Sequence, residues 1–210
     1  MAHSQHQGYL GAVYDAKSTE DVAAHYDAWA ETYDAEMAVA GYRHPSICLA
    51  LLARHLPKGA SPILDAGAGT GLIGEWLDIM GYTHVEALDV SSGMLDVARR
   101  KGRYNALHQL ALGSALPFST GHFAGVISAG VFTTGHVGAE GLDELIRITR
   151  PGGIIVLTVK KTLWTGSFER HVLGFVERGT ISIVEKTEPY VSMPGEKATT
   201  PSLGIVLKVK

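Results

Sequence analysis

Apolar positions near the start of the chain recur at helical spacing. Steps of three and four residues predict one amphipathic helix, whose apolar side chains are Val22, Tyr26, Trp29, Tyr33, Met37 and Ala40. Ser18 and Asp21 form an N-cap pattern before this helix, and Gly41 is expected to end it. Pro45 begins a second predicted helix, which runs to the break at residues 57–59. Residues 1–17 lack clear periodicity, so we expect them to be loosely ordered.

Strand-like and helix-like segments alternate through the rest of the chain. Strands are predicted at residues 63–65, 84–89, 106–112, 123–128 and 152–160, and helices at 70–80, 92–101, 142–149 and 167–178. Two further strands, 181–190 and 203–210, are joined by a loop rich in turn residues and could form an antiparallel edge. Such alternation requires right-handed crossovers and a mainly parallel sheet, which binds ligands at the carboxyl ends of its strands.

Composition narrows the function classes. The 210 residues suit one α/β domain, and a hydrophobic content of 46% argues against disorder. A net charge of -3 lacks the basic excess expected of a protein that binds phosphate backbones, so no nucleic-acid partner is expected. The single cysteine, Cys48, fits a reducing compartment. With no signal-like start and no apolar run of about 18 residues, a cytoplasmic protein without a membrane segment is expected.

Metal chemistry has no support in the sequence. Ten histidines are present, but none stands in an HExxH pattern, and the single cysteine cannot form a CxxC pair. We therefore expect no metal.

The most informative stretch is ILDAGAGTG at residues 63–71, where the first strand turns into its helix. Gly67, Gly69 and Gly71 allow a sharp turn, a close approach to a ligand and exposed helix N-terminal N–H groups, which implies a nucleotide-like ligand. Glycines alone are weak evidence, because Gly69, Gly71 and Gly74 also satisfy the dinucleotide fingerprint GxGxxG.

Asp65 separates the two kinds of ligand. Its carboxylate at the strand end would be repelled by a pyrophosphate at a cost of a few kcal/mol, whereas a cation beside it would be stabilised. S-adenosylmethionine carries an ammonium and a sulfonium and has no phosphate. Asp89, which ends the second strand, could accept ribose hydroxyls from either cofactor and does not discriminate. Helix capping or strand-end solvation would be the alternative role of both aspartates.

The ordered motifs resemble class I S-adenosylmethionine-dependent methyltransferases. The matching pieces are ILDAGAGTG, ALDVSSGML at 87–95, LPF at 116–118, HFAGVISAGVFTTGH at 122–136 and LIRITRPGGIIVLTV at 145–159. The segment HYDAWAETYDAEMAVAGYRHP at 25–45 further resembles the methyltransferase-like proteins named for the Williams–Beuren syndrome region.

The resemblance implies a Rossmann-like three-layer α/β/α sandwich with a seven-stranded, mainly parallel sheet and an antiparallel last strand. One methyltransferase domain would cover residues 1–210. Its parts would be the N-terminus at 1–17, lid helices at 18–57, a cofactor-binding core at 60–160 and a C-terminal helix and strand hairpin at 161–210.

The resemblance also implies roles for individual residues. Asp65 would bind the cofactor ammonium, the three loop glycines its methionine part, Asp89 the ribose and Met94 the adenine. Leu112 stands in a position that is often acidic, so the backbone of Gly113 and Ser114, or the Ser114 hydroxyl, would read the adenine instead. Ala115 is also assigned to the cofactor site. Other residues assigned to the cofactor site are Ala66, Thr70, Val90, Ser91, Ser128, Ala129, Gly130 and Val131.

Tyr26 and Tyr33 are expected to contact cofactor or substrate from a lid, with core packing as the alternative. Trp29 is assigned to packing. Arg43 could meet an anionic substrate or be a solvated surface group. His136 is the best-placed general base, although a loop histidine without a catalytic role is the simpler reading. Methyl transfer mainly needs alignment of the acceptor with the methyl group, so a base is optional.

The predicted function is methyl transfer from S-adenosyl-L-methionine to a small-molecule acceptor, which leaves S-adenosyl-L-homocysteine. The stretch SAGVFTTGHV lacks the Asn/Asp-Pro-Pro-aromatic motif of enzymes that methylate base or amide nitrogens. The alternatives are a non-catalytic S-adenosylmethionine-binding protein and an NAD(P)-dependent oxidoreductase. Nothing in the sequence indicates an oligomeric state.

Overall fold

The computed structural model describes residues 8–133, 137–196 and 199–210. Four helices precede the first strand: α1 (Gly8–Asp15), α2 (Thr19–Trp29), α3 (Tyr33–Ala40) and α4 (His44–His55). The Ser18 hydroxyl caps α2 by accepting the N–H of Asp21 at 3.1 Å, as the N-cap pattern predicted. Gly41 ends α3 in the left-handed conformation, which also agrees with the sequence.

The remaining elements alternate as expected. They are β1 (Ile63–Ala66), α5 (Gly74–Ile79), β2 (Val85–Asp89), α6 (Ser92–Lys101), β3 (Ala106–Gln109), β4 (Phe123–Phe132), α7 (Gly141–Ile148) and β5 (Thr149–Lys160). A helical turn α8 (Lys161–Leu163), a π-helical turn Trp164–Phe168, α9 (Glu169–Glu177), β6 (Ile181–Lys186) and β7 (Ser202–Val209) complete the described chain.

The seven strands form one sheet in the order β3-β2-β1-β4-β5-β7-β6. Strands β1 to β5 are mutually parallel, and β7 runs antiparallel to both of its neighbours, β5 and β6. This confirms the predicted mainly parallel sheet with a reversed last strand. The strand order reverses between β1 and β4, which is where sheets of this kind open a crevice for ligands.

Alternating side chains of the central strands build two cores on opposite faces of the sheet. One core joins Leu64, Ile155 and Leu157 to residues of α7 and α9. The other joins Ile63, Ile127 and Val156 to residues of α4 and α5. Helices therefore cover both faces, as in a three-layer sandwich.

A third cluster holds the N-terminal helices against α6. Trp29 is 1% exposed and packs with Val13, Met37, Met94 and Met193. Tyr9 stacks on Trp29 with ring centroids 5.9 Å apart. These contacts explain why α1 forms where the sequence predicted a loosely ordered segment: its order comes from tertiary packing, which periodicity does not register. The loose-order prediction is therefore wrong for residues 8–15.

Several predicted helix boundaries also need correction. The single helix expected from Ser18 to Gly41 is broken at residues 30–32, where the Thr32 N–H bonds the carbonyl of Trp29 at 3.1 Å. No glycine or proline marks this break in the sequence. Turns occupy residues 70–73 before α5 begins, and Ser91, not Ser92, caps α6 by accepting the Met94 N–H. The last helical segment begins at Lys161, ahead of the predicted residue 167.

Among the described residues, no helix is both long enough and apolar enough to span a membrane.

Candidate active site

A cavity of about 580 Å³ opens at the carboxyl ends of the parallel strands, beneath α2 and α3. Its size is within the range of small-molecule and cofactor sites. Ten of the residues assigned to the cofactor site from the sequence line it: Tyr26, Tyr33, Gly67, Gly69, Asp89, Val90, Met94, Ala129, Gly130 and Val131. The fold therefore brings together predicted residues that are up to about a hundred positions apart in the chain.

The glycine loop is held rigidly against β2. The backbone N–H groups of Gly67 and Ala68 both donate to the carbonyl of Leu88, at 2.8 and 3.0 Å. Gly67 has a φ of +80°, and a Cβ atom there would lie 2.2 Å from Cγ2 of Val131. Only glycine suits this position, because a side chain would be strained and would collide with the cavity wall.

Asp89 connects the loop to the start of α6. One carboxylate oxygen accepts the Gly69 N–H at 2.8 Å, and the other accepts the Ser91 N–H at 2.9 Å. Burial raises the pKa of Asp89, and these backbone hydrogen bonds oppose the rise. Each oxygen retains a lone pair for a further donor, so the carboxylate can accept hydroxyls of a ligand in the cavity.

Asp65 lies at the end of β1 and is 1% exposed. Its Oδ2 accepts the Tyr104 hydroxyl at 2.7 Å, but Oδ1 has no hydrogen-bond partner within the described part of the chain. Burial raises the pKa of Asp65 to about 7, while the Tyr104 hydrogen bond lowers it and the charge of Asp89 raises it further. A buried carboxylate oxygen without a donor is costly and is suited to pairing with a cation.

Three tyrosines form the wall opposite the strands. Tyr26, Tyr33 and Tyr42 all line the cavity, and burial raises the pKa of each well above its ordinary value, so they remain neutral. Trp29 lies behind them, stacked on Tyr26 and edge-on to Tyr33, with ring centroids 6.1 and 4.9 Å apart. Its location supports the packing role assigned to it.

Polar contacts from two helices fix this wall. Asp27 of α2 accepts the Ser91 hydroxyl and the Gly93 N–H, at 2.6 and 2.7 Å. Asp34 of α3 accepts the Thr70 hydroxyl and pairs with Lys101. Both α2 and α3 are therefore anchored, α2 to the start of α6 and α3 to the glycine loop and the end of α6.

The other predicted site residues, Asp65 among them, lie outside the cavity lining. Ala66, Thr70, Gly71, Ser91 and Ser128 are buried behind it as supports, and the Ser128 hydroxyl donates to the carbonyl of Ala66 at 2.7 Å. Gly113, Ser114 and Ala115 are exposed. The cavity is lined instead by the preceding Leu110, Ala111 and Leu112. His136 lies outside the described residues, and the Arg43 side chain donates to the carbonyl of Val191 at 3.4 Å on the surface.

Sequence reasoning missed several lining residues. Tyr42 approaches Gly130 so closely that a Cβ on the glycine would lie 1.9 Å from the tyrosine hydroxyl. Tyr42 follows the helix-ending Gly41, and its position beside three other aromatic residues of the same region was the available signal. Lys17, Thr19 and Val22 also line the cavity, although the first lies in the segment expected to be loosely ordered.

These residues fit S-adenosylmethionine better than a dinucleotide. The orphaned carboxylate oxygen of Asp65 suits an ammonium and would repel a pyrophosphate. The strand order also differs from the all-parallel order 3-2-1-4-5-6 of dinucleotide-binding folds, because β7 is inserted antiparallel beside β5. Fold and site together assign the protein to the class I methyltransferases, which are α/β proteins.

Comparisons with known proteins agree with this class. A family model described as a methyltransferase domain matches residues 64–157. Methyltransferase-like protein 27 of Homo sapiens is 36% identical over 138 residues, which are 64% of this chain and 56% of that protein. A demethylmenaquinone methyltransferase of Renibacterium salmoninarum is 32% identical over 175 residues, covering 81% of this chain and 72% of that protein.

A solved structure shows the same fold. The crystal structure of a TehB-like SAM-dependent methyltransferase from Corynebacterium glutamicum matches with a TM-score of 0.62 at 22% identity, covering 89% of this chain and 99% of that chain. The matched family model and the Renibacterium salmoninarum relative show that the chain belongs to the family of S-adenosylmethionine-dependent methyltransferases. It spans 56% of the length of the human relative.

Proposed function

We propose that this protein transfers a methyl group from S-adenosylmethionine to a small-molecule acceptor by in-line displacement. The proposal is carried by the buried Oδ1 of Asp65 beside the glycine loop, which has no hydrogen-bond partner among the described residues. An amino-acid ammonium is the complementary group for that oxygen, and it distinguishes this cofactor from a dinucleotide.

In the proposed complex, Asp65 holds the ammonium and Asp89 accepts the ribose hydroxyls. Gly67 and Gly69 allow close backbone approach, while Met94, Leu110 and Leu112 supply the apolar surroundings of the base. The cofactor supplies a methyl carbon made electrophilic by the sulfonium. The chain's own task is to orient the acceptor toward that carbon and to exclude water.

The character of the cavity supports a small acceptor. Apart from tyrosines, Lys17 and Asp89 are the only acidic or basic side chains of its described lining, and three tyrosines cover one wall. A surface that tracks phosphate backbones would need clustered basic groups. The net charge of -3 gives no such excess. A cytoplasmic location is proposed with it, supported by the unpaired, buried Cys48.

Two measurements test the proposal. Calorimetry should show saturable binding of S-adenosylhomocysteine and no heat with NADH or NADPH. S-adenosylmethionine labelled in its methyl group should then transfer label to the small-molecule fraction of a cell extract and not to its protein or nucleic-acid fractions. Binding without transfer to any fraction would favour a non-catalytic binding protein, and NADH binding would favour the oxidoreductase.

A further inference from the structure

A second, smaller cavity adjoins the main one. This inner cavity measures about 30 Å³ and is lined by Tyr14, His44 and Lys160 among others. It shares Tyr26, Tyr33, Tyr42, Gly130 and Thr133 with the lining of the main cavity. A volume of this size accommodates a group about as large as a water molecule. The inner cavity is therefore a polar extension of the main cavity on the side of β5.

Lys160 ends β5 and is only 5% exposed. Its ammonium donates to the carbonyl of Thr200 at 3.2 Å and to the hydroxyl of Ser192 at 3.5 Å. No carboxylate of the described chain lies within ion-pair distance of it. Burial lowers the pKa of Lys160 to about 8, which still leaves it mostly charged at neutral pH. A buried ammonium without a counter-ion is unfavourable, and an anion beside it would relieve that cost.

The groups around Lys160 leave its charge uncompensated. His44 is hydrogen-bonded through Nδ1 to the Tyr190 hydroxyl at 2.7 Å. Burial and, secondarily, the Lys160 charge lower the pKa of His44 to about 3, so the imidazole is neutral. Burial raises the pKa of Tyr14, Tyr26, Tyr33, Tyr42 and Tyr190, which keeps all five phenols protonated. Among the described lining residues, Lys160 is the one charged side chain of the inner cavity.

The position of Lys160 relative to the main cavity follows from the strand. Thr158 and Lys160 are two residues apart in β5, so their side chains leave the same face. The Thr158 hydroxyl accepts the N–H of Gly130 at 2.8 Å, and Gly130 lines both cavities. Lys160 therefore borders on lining residues that the two cavities share, which is the side from which a charged group of an acceptor would reach it.

We propose that Lys160 binds an oxyanion of the methyl acceptor, which makes the acceptor a small organic anion with a flat, apolar body. The body would lie among Tyr26, Tyr33 and Tyr42, where aromatic rings supply contact area. The oxyanion would be a carboxylate or an ionised phenol, two sources of the same chemistry. The inference rests on the proposed function, since it identifies the substrate class of that site, and Lys160 determines specificity in it.

The test compares anionic probes with neutral analogues of the same shape. Benzoate and benzamide form one pair, and 4-nitrophenolate and 4-nitroaniline form the other. Each probe is titrated by calorimetry at about pH 7.5 into the full chain, with and without saturating S-adenosylhomocysteine. Lys160→Met removes the charge at similar volume, Lys160→Arg retains it, and Lys161→Met is the matched control on the exposed neighbouring lysine.

We expect at least one anion to bind about 10-fold or more tightly than its neutral analogue. Lys160→Met should abolish that preference, Lys160→Arg should keep most of it, and Lys161→Met should not change it. Affinity for S-adenosylhomocysteine should stay within about two-fold in all three variants, because neither Lys160 nor Lys161 contacts the cofactor in the proposed complex. The better-bound anion, benzoate or 4-nitrophenolate, distinguishes a carboxylate acceptor from a phenolic one.

Equal binding of anion and neutral analogue, binding of neither, or an unchanged preference in Lys160→Met would overturn the inference. If the wild-type protein did not bind S-adenosylhomocysteine, that result would instead contradict the proposed function. The titrations performed without S-adenosylhomocysteine would still report whether the anions are preferred. Thermal unfolding checks that each variant folds, and Lys160→Gln serves in place of Lys160→Met if the latter does not.

Discussion

Replacing Asp65 by asparagine should stabilise the unliganded protein and weaken the binding of S-adenosylhomocysteine. Asparagine has nearly the same shape and can still accept the Tyr104 hydroxyl, which donates to Asp65 at 2.7 Å. What it removes is a negative charge that is 1% exposed and has one oxygen without a partner in the described chain. The two effects have opposite signs because the charge is unfavourable alone and favourable beside a cation.

The size of the stability effect follows from the pKa of Asp65, which burial raises from 3.8 to about 7. The folded state binds the proton of Asp65 more tightly than the unfolded chain does, so protonation of Asp65 stabilises the fold. That stabilisation is fully present below pH 3.8 and is lost as the pH rises through about 7. Each pH unit between the two pKa values is worth about 1.4 kcal/mol, so ionisation costs the unliganded fold about 4 kcal/mol. Asparagine does not titrate and avoids that loss.

Thermal unfolding of the wild type and Asp65→Asn across pH 5 to 8 measures this effect. The advantage of the variant should grow by about 2–3 kcal/mol over that range, which corresponds to roughly 5–10 °C in Tm. Asp96→Asn is the matched control, because it makes the same substitution at an aspartate that is exposed on α6. Calorimetry at pH 7.5 should show S-adenosylhomocysteine binding weakened by about 10- to 100-fold in Asp65→Asn.

Two results would refute this reasoning. If Asp65→Asn were less stable than the wild type at pH 8, the carboxylate would not be buried at a cost. If its affinity for S-adenosylhomocysteine stayed within about two-fold of the wild type, Asp65 would not hold the cofactor ammonium. Either outcome would remove the electrostatic argument for this cofactor.

Three further substitutions test the rest of the cofactor site by calorimetry with S-adenosylhomocysteine. Tyr104→Phe removes the hydrogen bond that lowers the pKa of Asp65, so affinity should fall several-fold at pH 6.5 and recover toward wild type at pH 8.5; a pH-independent loss would contradict this. Gly67→Ala places a Cβ 2.2 Å from Val131 at positive φ and should abolish binding, whereas retained affinity would show that the loop can move. Asp89→Asn can offer only one carbonyl oxygen to the two backbone N–H groups and the ribose, so a loss of about 10-fold is expected; unchanged affinity would exclude a ribose contact.

The sequence predicted the centre of the molecule well because local pattern and tertiary role coincide there. The glycine loop, the carboxylates at the ends of β1 and β2, and the reversed β7 are all readable from short motifs or from alternation. The buried strands β4 and β5 are continuous apolar runs whose burial on both faces follows from a parallel sheet. The cofactor class could be inferred from Asp65, because its negative charge attracts the ammonium of S-adenosylmethionine and repels the pyrophosphate of a dinucleotide.

The missed features depend on contacts between distant segments. Helix α1 is ordered by packing of Val13 and Tyr9 near Trp29, and its sequence GYLGAVYD carries no strong helical signal. The break between α2 and α3 has no glycine or proline. The loop after β3 lines the cavity three positions earlier than expected, at Leu110 to Leu112, because β3 ends at Gln109 and the loop enters the cavity at once.

Lys160 illustrates the same limit. In the sequence it is the last residue of an apolar strand beside a second lysine, which resembles an ordinary solvated strand end. In the fold, Ser192 and Thr200 lie beside it and accept hydrogen bonds from its ammonium through a hydroxyl and a carbonyl. Only the fold distinguishes Lys160 from the exposed Lys161.

The most direct test of the account is a crystal structure of the protein soaked with S-adenosylhomocysteine. We predict density in the main cavity with the amino group against Oδ1 of Asp65 and the ribose hydroxyls against Asp89. Soaking with NADH should leave the cavity without nucleotide density. A pyrophosphate bound across Gly67, Gly69 and Gly71, or an S-adenosylhomocysteine amino group directed away from Asp65, would contradict the account.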